Sequence, residues 1–132
     1  MKGLILSGGK GTRLERHVEG TIDSASRIEG TVVIEAGATI ERSVVRGPVI
    51  IGAGATIAGA YIGPFTAVGA RVTIRETEIE HSIVLEGAVI TDIANRIEDS
   101  LIGKDVSIDR LPVRPSAYRF MLGDHSEVGV QW

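Results

Sequence analysis

The sequence predicts an all-β fold, a single-stranded parallel β-solenoid of about five 17-residue coils with a short C-terminal cap. The first observation behind this prediction is a column of large aliphatic residues that recurs every 17 positions. A fixed period of this length over most of a chain indicates a solenoid. The members of the column are Ile34, Ile51, Val68, Leu85 and Ile102.

Two further columns and the composition support the same fold. One column contains Ile40, Ile57, Ile74, Thr91 and Ile108, and the other contains Ile28, Val45, Ile62, Ile79 and, one position late, Ile97. The chain has 17 Ile and 14 Val against 7 Leu, and β-branched residues favour strands. Each round therefore has three strand-forming sides, of six, five and six residues.

A second, usually smaller residue stands two positions before each column residue. Residues two apart on a strand point to the same side, so both members of each pair are expected to face the interior. The predicted inner set is Val32, Val49, Thr66, Ile83 and Ser100 on the first side, Ala38, Ala55, Val72, Val89 and Val106 on the second, and Ser26, Ser43, Ala60 and Thr77 on the third. The picture is a triangular prism of short parallel strands.

The repeat is interrupted twice. Residues 91–96 lack a clean column residue, which predicts a bulge or a small loop. After residue 110 the period ends, and residues 111–132 are expected to cap the last round, because an open strand edge would recruit other chains. Within this cap, the sequence predicts a short helix over 116–122, beginning at Ser116 and ending before Gly123.

The first residues have a different pattern. Residues 4–6 suggest a strand, and residues 7–12 form a glycine-rich turn, whose backbone N–H groups are suited to phosphate oxygens. The turn is not a Walker loop, because Lys10 precedes Gly11 rather than Ser or Thr. We therefore divide the chain into residues 1–17, residues 18–110 as the solenoid, and residues 111–132 as the cap.

Two resemblances follow from these motifs. The hexad pattern resembles the left-handed parallel β-helix of hexapeptide-repeat proteins, and the hand of the helix comes from this resemblance alone. The segment Gly8-Gly9-Lys10-Gly11-Thr12-Arg13-Leu14 resembles the signature of sugar-1-phosphate nucleotidyltransferases. The resemblance implies a nucleotide-binding role for Gly8, Gly9, Gly11, Thr12 and Arg13.

Within that family, segments such as residues 46–52, 62–66 and 121–126 resemble the C-terminal β-helix of the long type of glucose-1-phosphate thymidylyltransferase. The intact enzymes of this family would use dTTP and Mg²⁺. After Leu14, however, the chain continues with Glu15-Arg16-His17-Val18, and the sugar pocket, the lysine and the magnesium-binding aspartate of the family have no counterparts. The chain thus resembles the two ends of a two-domain enzyme without its catalytic middle.

The resemblance therefore implies an assembly or regulatory domain that is not catalytically competent as this chain. It also implies that the domain forms a homo-oligomer, most often a trimer. One alternative is a hexapeptide-repeat acyltransferase that uses acetyl-CoA and a histidine base, for which His81 is the best candidate beside His17 and His125. Another alternative is weak binding of nucleotide phosphates by the glycine loop. No group of residues has metal-ligand spacing.

The composition narrows the range of partners. The formal net charge is −3, whereas a general binder of nucleic acid or of anionic membranes would be basic. The apolar runs are far shorter than the ~20 residues of a membrane-spanning helix. The chain has no cysteine, which excludes a disulfide framework and is compatible with the cytoplasm that we expect for it.

Overall fold

A computed structural model describes residues 16–110 and 117–130 of the chain. These residues form short β-strands and no helix. The strands are β1 (Arg16–Val18), β2 (Thr21–Ile22), β3 (Arg27–Glu29), β4 (Val32–Ile34), β5 (Thr39–Glu41), β6 (Val44–Arg46), β7 (Val49–Ile51), β8 (Thr56–Ala58), β9 (Tyr61–Ile62), β10 (Thr66–Val68), β11 (Thr73–Arg75), β12 (Glu78–Glu80), β13 (Ile83–Val84), β14 (Val89–Thr91), β15 (Ile97–Glu98), β16 (Leu101–Ile102) and β17 (Ser107–Ile108).

The strands form three parallel sheets, and every third strand along the chain adds to the same sheet. Sheet A has the order β1-β4-β7-β10-β13-β16, sheet B the order β2-β5-β8-β11-β14-β17, and sheet C the order β3-β6-β9-β12-β15. All pairings are parallel and join one round to the next. This confirms the predicted β-solenoid of about five coils, with the three sheets as its three sides.

The interior is a stack of aliphatic side chains in the predicted columns. Isoleucine fills most of the largest fully buried positions, and the smaller partners two residues earlier are buried beside them. The core cluster is Val32, Ile34, Ala38, Ile40, Val45, Val49, Ile51, Ala55, Ile57, Ala60, Ile62, Val68, Val72, Ile74, Ile79, Val84, Ala88, Ile90 and Ile102. Each fully buried aliphatic side chain contributes roughly 1.5–3 kcal/mol to the hydrophobic term.

The predicted columns are wrong in one round. Val84, not Leu85, pairs with Val68 and Ile102, and it is 1% exposed whereas Leu85 is 37% exposed. The physical reason is that the side from Ile79 to Val84 has five residues, where the repeat predicts six.

The missing residue shifts the following side as well. Ile90 rather than Thr91 pairs with Ile74 and Ile108 in sheet B. The inner positions move with it, so that Ser82 and Ala88 are buried, while Ile83 and Val89 face outward.

The predicted irregularity at residues 91–96 is present and restores the register. The chain leaves β14 at Thr91, makes a bend over residues 92–96 and enters β15 at Ile97. Ile97 then pairs with Ile79, as the late position in the third column predicts. The extra length of this connection compensates for the short side before Val84.

Buried hydroxyl groups connect successive rounds at the corners. Ser43 donates a hydrogen bond to the carbonyl of Glu41 at 2.7 Å and accepts one from the amide of Ala60, in the next round, at 3.1 Å. Ser82 repeats the arrangement with the carbonyl of Glu80 and the amide of Ser100. These side chains satisfy backbone groups that the corner withdraws from the sheet ladders.

The C-terminal segment does not form the predicted helix in its described part. Residues 117–122 contain no helical turn, and every residue from 117 to 130 is exposed. The cap over residues 111–132 remains a prediction, since residues 111–116 lie outside the described part.

Candidate functional site

The nucleotide-binding residues implied by the resemblance, Gly8, Gly9, Gly11, Thr12 and Arg13, all lie outside the described residues. Their role therefore stays a prediction. Within residues 16–110 and 117–130, no three His, Asp or Glu side chains converge on a point where a metal ion could bind. The same part of the chain contains no helix long and apolar enough to cross a membrane.

The three histidines occupy unrelated places. His81 is exposed at the corner after β12, and its ring packs against that of Phe65, with the centroids 5.3 Å apart. His17, in β1, has its Nε2 atom 3.1 Å from a carboxylate oxygen of Glu19. His125 belongs to the exposed segment 117–130. Within the described residues, no carboxylate holds the ring of His81 in the orientation that a general base requires.

The outer face of sheet A carries an apolar ladder. The outward row of this face begins at His17 of β1. From β4 onward it is apolar, and strand register places one residue per round in line: Val33, Ile50, Ala67, Ile83 and Leu101. Ile50 and Ile83 are each 49% exposed, and Leu101 is 70% exposed. We call these five residues the apolar ladder.

A shallow groove runs along the apolar ladder. Its volume is about 850 Å³, and it follows the ladder from Val33 to Ile83. Pro48 and Phe65 border it at one corner, and its lining also includes the polar side chains of His17, Glu19 and Glu35. Phe65 is 65% exposed and has a φ of 62°, a backbone conformation that bulky residues rarely adopt. The corner thus presents an aromatic ring beside the apolar ladder, and a contiguous apolar surface of this kind marks a site of interaction.

The outer face of sheet B is polar. Its outward positions are occupied by threonines in register, Thr39 beside Thr56 and Thr56 beside Thr73, which are followed by Val89 and Ser107. Hydroxyl-bearing side chains lose little by contact with water, so this face needs no cover.

The outer face of sheet C is charged, and several of its charges form ion pairs between neighbouring rounds. Arg46 donates a hydrogen bond to Glu29 at 2.9 Å, and Arg96 reaches Glu78 and Glu80 at 3.1 and 2.7 Å. The hydrogen bond with Glu29 raises the pKa of Arg46, and that with Glu78 raises the pKa of Arg96.

Tyr61 lies between the two guanidinium groups of this face. The ring centroid is 5.6 Å from the Cζ atom of Arg46 and 5.2 Å from that of Arg96. Since cations are attracted to the face of an aromatic ring, the stack links the round of β6 with those of β9 and β15. Of the three faces, only that of sheet A gains substantially from being covered.

The sequence contains the signal for this surface. The ladder residues stand one position before the column residues, so alternation along the strands places them outside. The prediction put Ile83 inside because the short side before Val84 was not recognised. Phe65 and its position at the corner were not predicted as part of a surface.

Comparison with known proteins extends the resemblance seen in the motifs. No family model matches the chain. A glucose-1-phosphate thymidylyltransferase of Streptomyces antibioticus is 47% identical over 118 residues, which is 89% of this chain and 33% of that protein. A protein of the same name from Streptomyces griseus is 41% identical over 116 residues, which is 88% of this chain and 32% of that protein.

The chain thus spans about one third of the length of the curated relatives that it matches. The predicted resemblance to glucose-1-phosphate thymidylyltransferases is confirmed at this level of identity. The β-solenoid fits the C-terminal β-helix that the resemblance implies, and the share covered is consistent with a truncation relative to these relatives.

Proposed function

We propose that this chain is the β-helical assembly domain of a glucose-1-phosphate thymidylyltransferase-like protein and is not itself catalytic. The homology supports the parentage, because proteins of that name match most of the chain. The single observation that supports the assembly role is the apolar ladder on sheet A. Self-association through this face would remove Ile50, Ile83 and Leu101 from water.

The proposal that the chain is not catalytic rests on the side chains that the outer faces of the solenoid present. Nucleotidyl transfer depends on positioning of phosphates and on metal-assisted stabilisation of charge. The described faces instead present threonines, internally paired charges and an apolar strip. In the proposed whole protein, dTTP and Mg²⁺ would bind to a catalytic domain, and the solenoid would hold several such domains together.

No observation favours the acyltransferase alternative. His81 packs on Phe65 and has no carboxylate to orient it within the described residues. The proposed role therefore remains assembly, and its expected form is a homo-oligomer, with a trimer favoured.

Light scattering on a sizing column tests this proposal. A trimer has a mass of about 42 kDa, three times the 14.0 kDa of one chain. The double variant Ile50→Glu/Ile83→Glu places carboxylates in the apolar ladder and should elute as a monomer, because burial of unpaired charges is strongly unfavourable.

The matched control is Thr73→Glu/Val89→Glu, which alters two outward neighbours in sheet B. This control should keep the mass of the parent. A parent that is a strict monomer at micromolar concentration, or a control that dissociates as fully as the sheet A variant, would refute the proposal.

A further inference from the structure

Strands β13 and β14 have a second register in which their round would be more regular. In sheet C, Ile79 pairs with Ile97, and the chain between them advances 18 positions instead of the 17 of the earlier rounds. With Val84 and Ile90 in the columns, the three sides of this round have five, six and seven residues. A shift of both strands by one residue would give six, six and six, which departs from the other rounds on one side instead of two.

In sheet A, the shift would exchange aliphatic residues between the inside and the outside. A slip of one position turns every side chain of a strand to its opposite face. Leu85 and Ile83, now 37% and 49% exposed, would replace Val84 and Ser82 in the interior. Val84 would in turn take the outward place of Ile83 in the apolar ladder. Sheet A thus offers an apolar side chain to the column in either register.

In sheet B, the same shift would bring one polar residue into the core. Val89 would replace the small Ala88 inside, and Thr91 would replace Ile90 in the column. Ile90 is fully buried in the structure, whereas Thr91 is only partly buried. Burial of isoleucine is favourable and burial of a hydroxyl without a partner is costly, so this pair favours the observed register.

The observed register has two further local supports. The buried hydroxyl of Ser82 accepts a hydrogen bond from the amide of Ser100 at 3.1 Å, and the shift would turn this hydroxyl outward. Gly87 occupies a corner with a φ of 78°, and the shift would bring Ala88 to that corner. A residue with a Cβ atom adopts a positive φ less readily than glycine does. The second register would therefore be a minor state of the parent chain.

We infer that residues 80–96 are a two-register element and that residues 90 and 91 set the choice of register. The pairing of Ile79 with Ile97 fixes both ends, and the bend over residues 92–96 takes up or releases one residue. The exchange would replace Ile83 by Val84 in the apolar ladder and turn Ile90 outward on sheet B. Because the two registers present different outer faces, anything that binds one face better would shift the register. This device goes beyond the proposed assembly role, and its test does not depend on assembly.

A rescue experiment on the full chain tests the inference. The variant Ile90→Thr/Thr91→Ile, called the exchanged variant, moves the isoleucine by one position and should itself fold, in the second register. Val84→Asp buries a charge in the parent and should abolish its fold. In the exchanged variant, position 84 faces outward, so Val84→Asp should leave its far-UV circular dichroism and its cooperative urea transition in place.

The matched control is Val68→Asp, which alters the same column one round earlier, at a position that is 2% exposed. Val68→Asp should abolish the fold in the parent and in the exchanged variant alike. An exchanged variant that does not fold would overturn the inference, because a second register would have given the isoleucine at position 91 a buried place. Loss of the fold on adding Val84→Asp to the exchanged variant would overturn it as well.

Thiol labelling reads the register directly, because the chain contains no cysteine. In the parent, position 83 is 49% exposed and position 84 is 1% exposed. A maleimide should therefore label Ile83→Cys at least roughly tenfold faster than Val84→Cys, since a buried thiol reacts only after the structure opens. In the exchanged variant the order should reverse. The same order in both backgrounds would contradict the inference even if both proteins fold.

Discussion

Removal of the Ser43 hydroxyl tests how the corners of the solenoid are held. Ser43 is 2% exposed, and its Oγ atom both donates to the carbonyl of Glu41 and accepts from the amide of Ala60 in the next round. The variant Ser43→Ala keeps the Cβ atom and the local packing, so it removes these two hydrogen bonds and little else. The carbonyl of Glu41 keeps a second donor, the amide of Gly59 at 3.0 Å.

In Ser43→Ala, the amide of Ala60 loses its hydrogen-bond acceptor. Ala60 is 6% exposed, so water cannot replace the lost acceptor without a local opening of the corner. A buried donor left without a partner costs about 1–3 kcal/mol, and a made hydrogen bond contributes about 1 kcal/mol net. We expect Ser43→Ala to lower the free energy of unfolding by about 2–3 kcal/mol.

Thr66 provides the matched comparison. It is 3% exposed, yet within the described residues its Oγ1 atom is buried and has no hydrogen-bond partner. Thr66→Val replaces that hydroxyl with a methyl group of similar size. The free energy of unfolding should therefore stay the same or rise by about 1 kcal/mol.

Urea denaturation at neutral pH measures both changes. The slope of each transition should match that of the parent, which shows that the same surface is exposed on unfolding. Equal losses of stability in Ser43→Ala and Thr66→Val would refute the reasoning, because the cost would then come from any change at a corner and not from hydrogen bonds between rounds.

Two other predictions concern the core and the acid limit of stability. Val84→Asp should abolish the fold, while Leu85→Asp should cost about 1 kcal/mol, because only the first buries a charge. Circular dichroism and thermal melts measure both losses of stability. If Leu85→Asp were the more damaging change, Leu85 would be the buried residue and the 17-residue column would be unbroken. A hydrogen bond from Ser26, aided by the backbone amide of Arg42, lowers the pKa of Asp23 below its usual 3.8. Its stabilising contribution is therefore present above about pH 4 and is lost as the pH falls through the lowered pKa. Asp23→Asn should lose less stability between about pH 5 and pH 3 than the parent; identical pH slopes in urea melts would show that Asp23 titrates alike in the folded and unfolded chain.

Most of the fold could be predicted because the repeat is regular where the sides keep six, five and six residues. The failure came where Ile83, Val84 and Leu85 stand together, since any of the three satisfies an aliphatic column. Periodicity alone cannot detect one missing residue within such a run. The polar Thr91 in a column of isoleucines was the available signal that the register had shifted. The neighbouring Ile90 is the residue that occupies the column.

The candidate surface was harder to predict than the core. Outward aliphatic residues such as Ile50 follow from alternation, but their exposure depends on what the corners place beside them. The stack of Tyr61 between Arg46 and Arg96 joins residues 50 positions apart in sequence, which is about three rounds of the solenoid. No local pattern reveals it, because it depends on the rotamers of long side chains.

Strand pairing in this solenoid also bears on how the chain folds. Each described strand pairs with strands 16–18 residues away, never farther, so the mean separation is about 0.13 of the chain length, a value typical of mixed α/β domains. Each added round closes a loop of similar length at a similar cost in chain entropy. Folding can thus nucleate at any round and spread to its neighbours, at a rate faster than an all-β composition suggests.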